Sequence, residues 1–270
     1  MGELVLGTTK AVLGMIHLRP LPGTPFYENE SFPRILDEAV LSARALYEGR
    51  AAGCLVQTVD RVYQVDDDSD PARTVAVGLI VRAIVEATST EFHVGVQLMH
   101  NAVKASLAVA KVAGGSFVRA SALVGMTLTP HGLVHAAPME VMQYRERIGA
   151  SRIRVLADVS SMHFSWFGGG AGPEDVARGA RLVGADAVVV AHREEDRALA
   201  MVAAVRAAVP DMPVILGGYT SHENAARLLA AVDGAFVGTC LERGGWGGQI
   251  DVDRVKAYMD LVHGLGPREP

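Results

Sequence analysis

An α/β fold, a single (β/α)8 TIM barrel, is predicted by three features of the 270-residue sequence. Eight short apolar runs rich in β-branched residues recur along it, each followed by a stretch with helical periodicity. Several of these runs are continuously apolar, as strands covered on both faces must be. No Pro/Ser linker or charge block divides the chain, and eight strand–helix units fill the roughly 250 residues such a barrel takes. A doubly wound open sheet is the alternative that the same rhythm allows.

The strands are expected at 11–17 (AVLGMIH), 54–59 (CLVQTV), 92–99 (FHVGVQLM), 116–121 (SFVRAS), 152–159 (RIRVLADV), 186–191 (DAVVVA), 213–217 (PVILG) and 234–238 (GAFVG). In the first helical stretch Ile35, Leu36, Ala39, Val40, Ala43, Leu46 and Tyr47 form one apolar stripe. Weaker stripes follow at 74–87, 103–113, 138–148, 174–183, 197–209, 222–230 and 252–262. Ser221 is the expected N-cap of the helix after the seventh strand.

Composition narrows the function classes. Apolar residues make up 50% of the chain and charged ones 20%, an ordinary globular balance. A net charge of −5 offers no basic surface for nucleic acid. No apolar run reaches the roughly 18 residues of a membrane span. The acidic, unpatterned start is not a signal peptide, and Leu6 stands where myristoylation wants Ser or Thr. Cys54 and Cys240 sit in apolar surroundings and read as buried thiols of a reducing compartment. The expectation is a cytoplasmic protein with a small-molecule substrate. Its oligomeric state is open, since an apolar helix face would suit a homo-oligomer.

In such a barrel the site lies where strands end and βα loops begin. His17 follows the first strand and Asp60 the second; Gln97, His100 and Asn101 stand on or after the third. Arg119 and Ser121 come from the fourth, Asp158, Ser160 and His163 from the fifth, and His192 from the sixth. Gly217, Gly218 and Tyr219 follow the seventh strand, and Gly238, Thr239 and Glu242 the eighth. Asp158, entering a dry place behind RVLA, is either a general base or the partner of Arg119 on the next strand; the two roles are compatible. His17 and His163 have the right chemistry to move protons near neutral pH, or are rings packed under loops. The paired glycine loops after strands seven and eight are either tight turns or a phosphate cradle of backbone N–H groups.

Other motifs fail their tests. DDDSDP (66–71) begins like a calcium loop, but Pro71 and Val77 stand where Gly and Glu are required. HGLVH (131–135) has metal-ligand spacing for a helix, yet Gly132 and Pro130 oppose a helix there. WFGGGAG (166–172) and GGWGGQ (244–249) are either hinged lids or loops pinned by an indole. Nothing indicates a nicotinamide or flavin cofactor. No metal is required, although an Asp60/Asp158 magnesium site stays open.

VLGMIHLRPLPGTP, GVQLMHNAVKASLAVA, FVRASALVG, VLADVSSMH, ADAVVVA, PVILGGYTSHEN, DGAFVGTCLERGG and VDRVKAYM, in this order, resemble the motifs of the BtpA family over about 12–262. The family is named for photosystem I biogenesis, though most members are in organisms without photosynthesis. The resemblance implies a TIM barrel related to phosphate-binding enzymes, with some members encoded beside sugar-uptake genes. This chain looks like a divergent member. It has His100-Asn101-Ala102 where the family tends to Arg-Asn-Asp, Thr129-Pro130-His131-Gly132 for Thr-Asp-Gln-Gly, Met162 before His163 for Lys, Tyr219 in the Gly-Ser-Gly loop, and Glu242 for a Lys.

The expected function is that of an enzyme working by acid/base chemistry on a small sugar-, sugar-phosphate- or nucleoside-like metabolite. Isomerisation, aldol-type cleavage and glycosidic-bond chemistry all fit the residue types. Asp158, His17 and His163 are the catalytic candidates. Asp60, Gln97, His100, Asn101, Arg119, Ser121, His192, Gly217, Gly218, Tyr219, Gly238, Thr239 and Glu242 are the substrate-binding candidates. The alternative is a non-catalytic assembly or regulatory factor that keeps the barrel.

Overall fold

The computed structural model describes residues 10–161, 165–167 and 170–265. Along the chain run β1 (Ala11–Leu18), α1 (Phe32–Glu48), β2 (Gly53–Thr58), α2 (Pro71–Ala87), β3 (His93–Gln97), α3 (Val103–Ala113) and β4 (Phe117–Ala120). Then come β5 (Met126–Thr129), β6 (Gly132–His135), α4 (Pro138–Arg147), β7 (Arg154–Ser160), β8 (Ser165–Trp166), α5 (Pro173–Leu182) and β9 (Ala187–Val190). The chain ends with α6 (Glu195–Ala208), β10 (Val214–Leu216), α7 (Ala225–Ala230), β11 (Gly234–Val237) and α8 (Val252–His263).

Eight of these strands close into a parallel barrel in the order β1-β11-β10-β9-β7-β4-β3-β2. The fold is the predicted (β/α)8 TIM barrel, and the open-sheet alternative falls with its closure. Alternation along each strand sorts side chains into two cores. Leu13, Met15, Leu55, Phe117, Leu156, Val189, Ile215 and Phe236 fill the interior. Val12, Ile16, Val56, Val94, Val118 and Val188 face outward to the helices. Gly14 lets α1 approach β1, because a Cβ there would lie 2.2 Å from Leu46 Cδ2. Gly95 makes room in the interior, where a Cβ would lie 2.1 Å from the Phe117 ring.

The end of the barrel away from the βα loops is tied by carboxylates. Asp186 accepts hydrogen bonds from Arg145 Nη2 at 2.9 Å, Arg154 Nη1 at 2.7 Å and the Val155 N–H at 2.8 Å. Asp233 similarly accepts from Arg206 Nη2 at 2.9 Å and the Val214 N–H at 2.8 Å.

Three local expectations are resolved or corrected. The acidic run before α2 is a helix cap: Asp70 accepts from the N–H groups of Ala72 (2.8 Å) and Arg73 (3.3 Å), with Pro71 next in the chain. Ser221 does not cap α7. Its N–H donates to Asn224 Oδ1 at 2.7 Å, and this turn delays the helix to Ala225. The segment between β4 and α4 forms a hairpin that sequence periodicity did not predict, since four-residue strands are too short to show alternation. β5 pairs antiparallel with β6 and with β8, so HGLVH is a turn and strand, and Trp166 is part of a small sheet. No helix among the described residues is long and apolar enough to cross a membrane.

Candidate active site

Where the interior alternation reaches the ends of the strands, it changes from apolar to polar. Two residues beyond Met15, Leu55, Phe117 and Leu156 stand His17, Gln57, Arg119 and Asp158. Two beyond Gly95, Ile215 and Phe236 stand Gln97, Gly217 and Gly238. These seven inward positions all line one cleft of about 280 Å³, together with Gly218, Tyr219, Thr239 and Trp246 among others.

Arg119 and Asp158 form its floor. Arg119 Nε donates to Asp158 Oδ1 at 2.8 Å and Nη2 to Oδ2 at 3.3 Å. Both side chains are buried, and the guanidinium carbon lies 4.9 Å from the centre of the Phe236 ring. Burial pushes the Asp158 carboxyl above its ordinary range, and the Arg119 guanidinium pulls against that rise. Gly217 belongs to this arrangement: a Cβ there would sit 3.2 Å from Arg119 Nη2 and 3.0 Å from both Ala191 Cβ and Val189 Cγ1. Its N–H is spent on the Val190 carbonyl at 2.8 Å, so Gly217 serves close packing and leaves any cradle to Gly218 and the loop after β11.

Gln97 Nε2 donates to Ser121 Oγ at 3.1 Å, and Ser121 Oγ donates to the His100 carbonyl at 2.7 Å. Gln97 Oε1 is buried on the cleft with no hydrogen-bond partner among the described residues. His17 Nδ1 is buried and faces Glu242 Oε1 at 3.5 Å, which leaves Nε2 as the ring nitrogen available to the cleft. Glu242 Oε2 accepts from the Gly247 N–H at 2.8 Å. Trp246 in the same loop places its ring centre 5.8 Å from that of His17. Cys240 also lines the cleft, and burial pushes its thiol up to about 11.

Of the expected residues, His17, Gln97, Arg119, Asp158, Gly217, Gly218, Tyr219, Gly238 and Thr239 therefore share the cleft. Others lie outside its lining and are engaged elsewhere. Asp60 pairs with buried Arg73 at 2.7 Å and accepts from the Leu21 N–H at 3.4 Å. Arg73 Nη2 also donates to Thr58 Oγ1 and the Met99 carbonyl, each at 2.6 Å, tying β2, α2 and the end of β3 together. Asp60 and Asp158 are thus held by separate arginines. Asn101 bonds both backbone groups of Ala122, at 2.9 Å each. His100 Nε2 lies 2.9 Å from His131 Nδ1, with the Tyr63 ring edge-on to both imidazoles. His192 accepts from the Glu194 N–H at 3.0 Å. Ser121 contacts the cleft residue Gln97, and Glu242 faces the cleft residue His17. His163 lies outside the described residues. No group of three or more metal-ligating side chains occurs among the described residues. Gln57 is on the cleft but absent from the expected set, because it lies within β2 and not in the loop after it. Counting two positions on from Leu55 finds it.

The family model of the BtpA family matches residues 8–264. The chain belongs to the BtpA family. Among the family relatives, an Archaeoglobus fulgidus protein is 30% identical over 259 residues, spanning 94% of this chain and 99% of that one. The putative sgc region protein SgcQ of Escherichia coli is 26% identical over 269 residues, spanning 96% of each chain. Among solved structures, this BtpA-family barrel is similar to thiamine phosphate pyrophosphorylase from Pyrococcus furiosus, with TM-score 0.58, 18% identity, and 96% and 98% of the two chains covered. Phosphoribosyl anthranilate isomerase from Thermus thermophilus has TM-score 0.54 and 16% identity, over 95% of this chain and 100% of that one. At such identities the likeness concerns the fold, and that fold is shared with TIM-barrel enzymes.

Proposed function

We propose that this protein is an enzyme that transfers protons on a small, polyhydroxylated, sugar- or nucleoside-like metabolite held at the mouth of the barrel. One observation carries this reading. His17 on β1 and Asp158 on β7 belong to strands four places apart in a ring of eight, so they face each other across the cleft. Two titratable groups on opposite walls can serve the two sides of one bound molecule. The Glu242 carboxylate, 3.5 Å from His17 Nδ1, orients the ring toward the cleft. Asp158 takes or holds a substrate hydroxyl beside the charged edge of Arg119. The amides of Gln57 and Gln97 orient the remaining hydroxyls, with the unspent Gln97 Oε1 accepting from one of them.

The loops after β10 and β11 take an anionic end. Gly218, with φ +140°, and Thr239 both line the cleft, while the Glu242 carboxylate is turned toward His17 and the neighbouring loop. The phosphorylated compounds in the names of the structural neighbours support this part of the reading.

Thermal denaturation against sugar phosphates, free sugars, nucleosides, nucleotides and inorganic phosphate tests it. A ligand at ~100 times its Kd stabilises by about 2.7 kcal/mol, a shift of roughly 5–10 °C for a chain of this size. A shift that Asp158→Asn abolishes supports the reading. No shift with any of these classes counts against it and favours the non-catalytic factor.

A further inference from the structure

His17 and Trp246 also line a second, larger pocket of about 530 Å³ on the other side of the β1 rim, against α1 and the loop after β11. The central cleft, at about 280 Å³, has room for a sugar-sized group. The second pocket is within the range of ordinary ligand sites. Because the same two rings wall both, a molecule filling the pair must pass beside His17.

The lining of the second pocket selects among ligands. Arg19, Arg34 and Arg61 stand there with Glu28, Glu38 and Glu242, so the fixed charges balance and an anion gains little. Arg19 is paired with Glu38 at 3.3 Å and Arg34 with Glu28 at 3.1 Å. Arg61 makes no ion pair among the described residues. Its guanidinium lies 5.1 Å from the centre of the half-exposed Phe26 ring, and its backbone has φ +72°. That left-handed conformation is unfavourable for a long side chain and is held by a bond between the Arg61 carbonyl and His131 Nε2 at 3.1 Å. Ser31 Oγ is buried in this wall with no hydrogen-bond partner among the described residues. Stacking surfaces, balanced charge and an unspent hydroxyl suit a neutral flat ring with polar edges.

We infer that the second pocket seats a nucleobase-sized heteroaromatic group joined to the polar head in the central cleft, with His17 at the junction. The substrate is then bipartite, of the nucleoside class. The inference rests on the reading of the central cleft as the seat of a sugar-like head, and goes beyond it by assigning the second seat.

The chain has two tryptophans, so a Trp166→Phe background isolates Trp246 as a fluorescent reporter. In that background, adenine, uracil, adenosine, uridine and ribose are titrated separately, with thermal shift measured in parallel. The expected result is saturable quenching by at least one base and at least tenfold tighter binding of its nucleoside. Arg61→Asn, which tolerates the left-handed backbone, should weaken the base at least tenfold and leave ribose unchanged. A ribose shift without base quenching, or quenching indifferent to Arg61→Asn, overturns the second seat and leaves the central reading standing. Failure of all five probes to bind overturns the second seat, and the central reading falls with it only if sugar phosphates, nucleotides and inorganic phosphate also give no thermal shift.

Discussion

Arg119 and Asp158 lie side by side on adjacent strands, joined by two hydrogen bonds at 2.8 and 3.3 Å and closed over from below by the Phe236 ring. The two members of this pair are not equivalent. A carboxyl left alone can take up a proton, whereas a guanidinium cannot lose one.

Removing either partner should therefore have opposite pH signatures. Breaking a buried pair costs about 3–5 kcal/mol at neutral pH. In Arg119→Met, Asp158 loses the group that opposes its rise, and its folded pKa stands well above the unfolded value near ~3.9. The folded chain then binds the extra proton. Its stability is full below the unfolded pKa and is lost as pH rises through the folded one. Urea denaturation from about pH 4 upward should show Arg119→Met close to wild type at the acid end and falling behind as pH increases. Asp158→Leu should show no such recovery at low pH. Equal, pH-independent deficits would contradict the asymmetry.

Asn101 and Gln57 separate packing from binding. Asn101→Ala leaves both backbone groups of buried Ala122 unpaired and should cost about 1–3 kcal/mol, with ligand affinity at the cleft unchanged in the folded fraction. Gln57→Ala should do the reverse, keeping stability within about 0.5 kcal/mol and lowering affinity. Denaturation and ligand titration on the two variants decide it.

This contrast shows how far the sequence could be read. The barrel was legible because its strands are near-continuous Val, Ile and Leu runs at regular spacing. Asp60, His100, Asn101 and His192 come after the strands and are engaged outside the cleft lining, whereas Gly218, Tyr219 and Thr239, also after strands, line it; position after a strand does not by itself separate the two. Seven of the eight barrel strands bring an inward position at, near or just beyond their ends to the cleft, and the period of two finds that position once one interior neighbour is known. The hairpin β5–β6 had no comparable signal. The Asp60–Arg73 pair joins a strand end to a helix, and nothing local in either segment announces the other.

Gly217→Ala tests the packing account of the first glycine loop. The added methyl would meet Val189, Ala191 and Arg119 Nη2 at 3.0–3.2 Å, so something must move. Overpacking of this kind costs about 1–3 kcal/mol. Because the guanidinium is the most displaceable of the three, ligand affinity should fall along with the denaturation midpoint. A variant with native midpoint and native affinity would remove Gly217 from the site.

His17→Gln should lower kcat by ~10²–10⁴ while preserving ligand-induced thermal stabilisation. Glu242→Gln keeps an acceptor for the Gly247 N–H but withdraws the charge beside His17, so its loss should fall mainly on kcat, with KM near native. Steady-state kinetics on the substrate found by thermal shift distinguishes this from a merely structural Glu242, for which kcat would be unaffected.

The barrel closes by pairing β1 with β11, Ala11 opposite Gly234. One wall of the cleft is carried by the opening strand and the adjoining wall by the closing one. During synthesis, the edge of β1 that will meet β11 waits unpaired while every other strand is made, an exposed ladder open to misplaced partners. The cleft cannot exist in an unfinished chain, and the strand that emerges early is among the last to be fully covered.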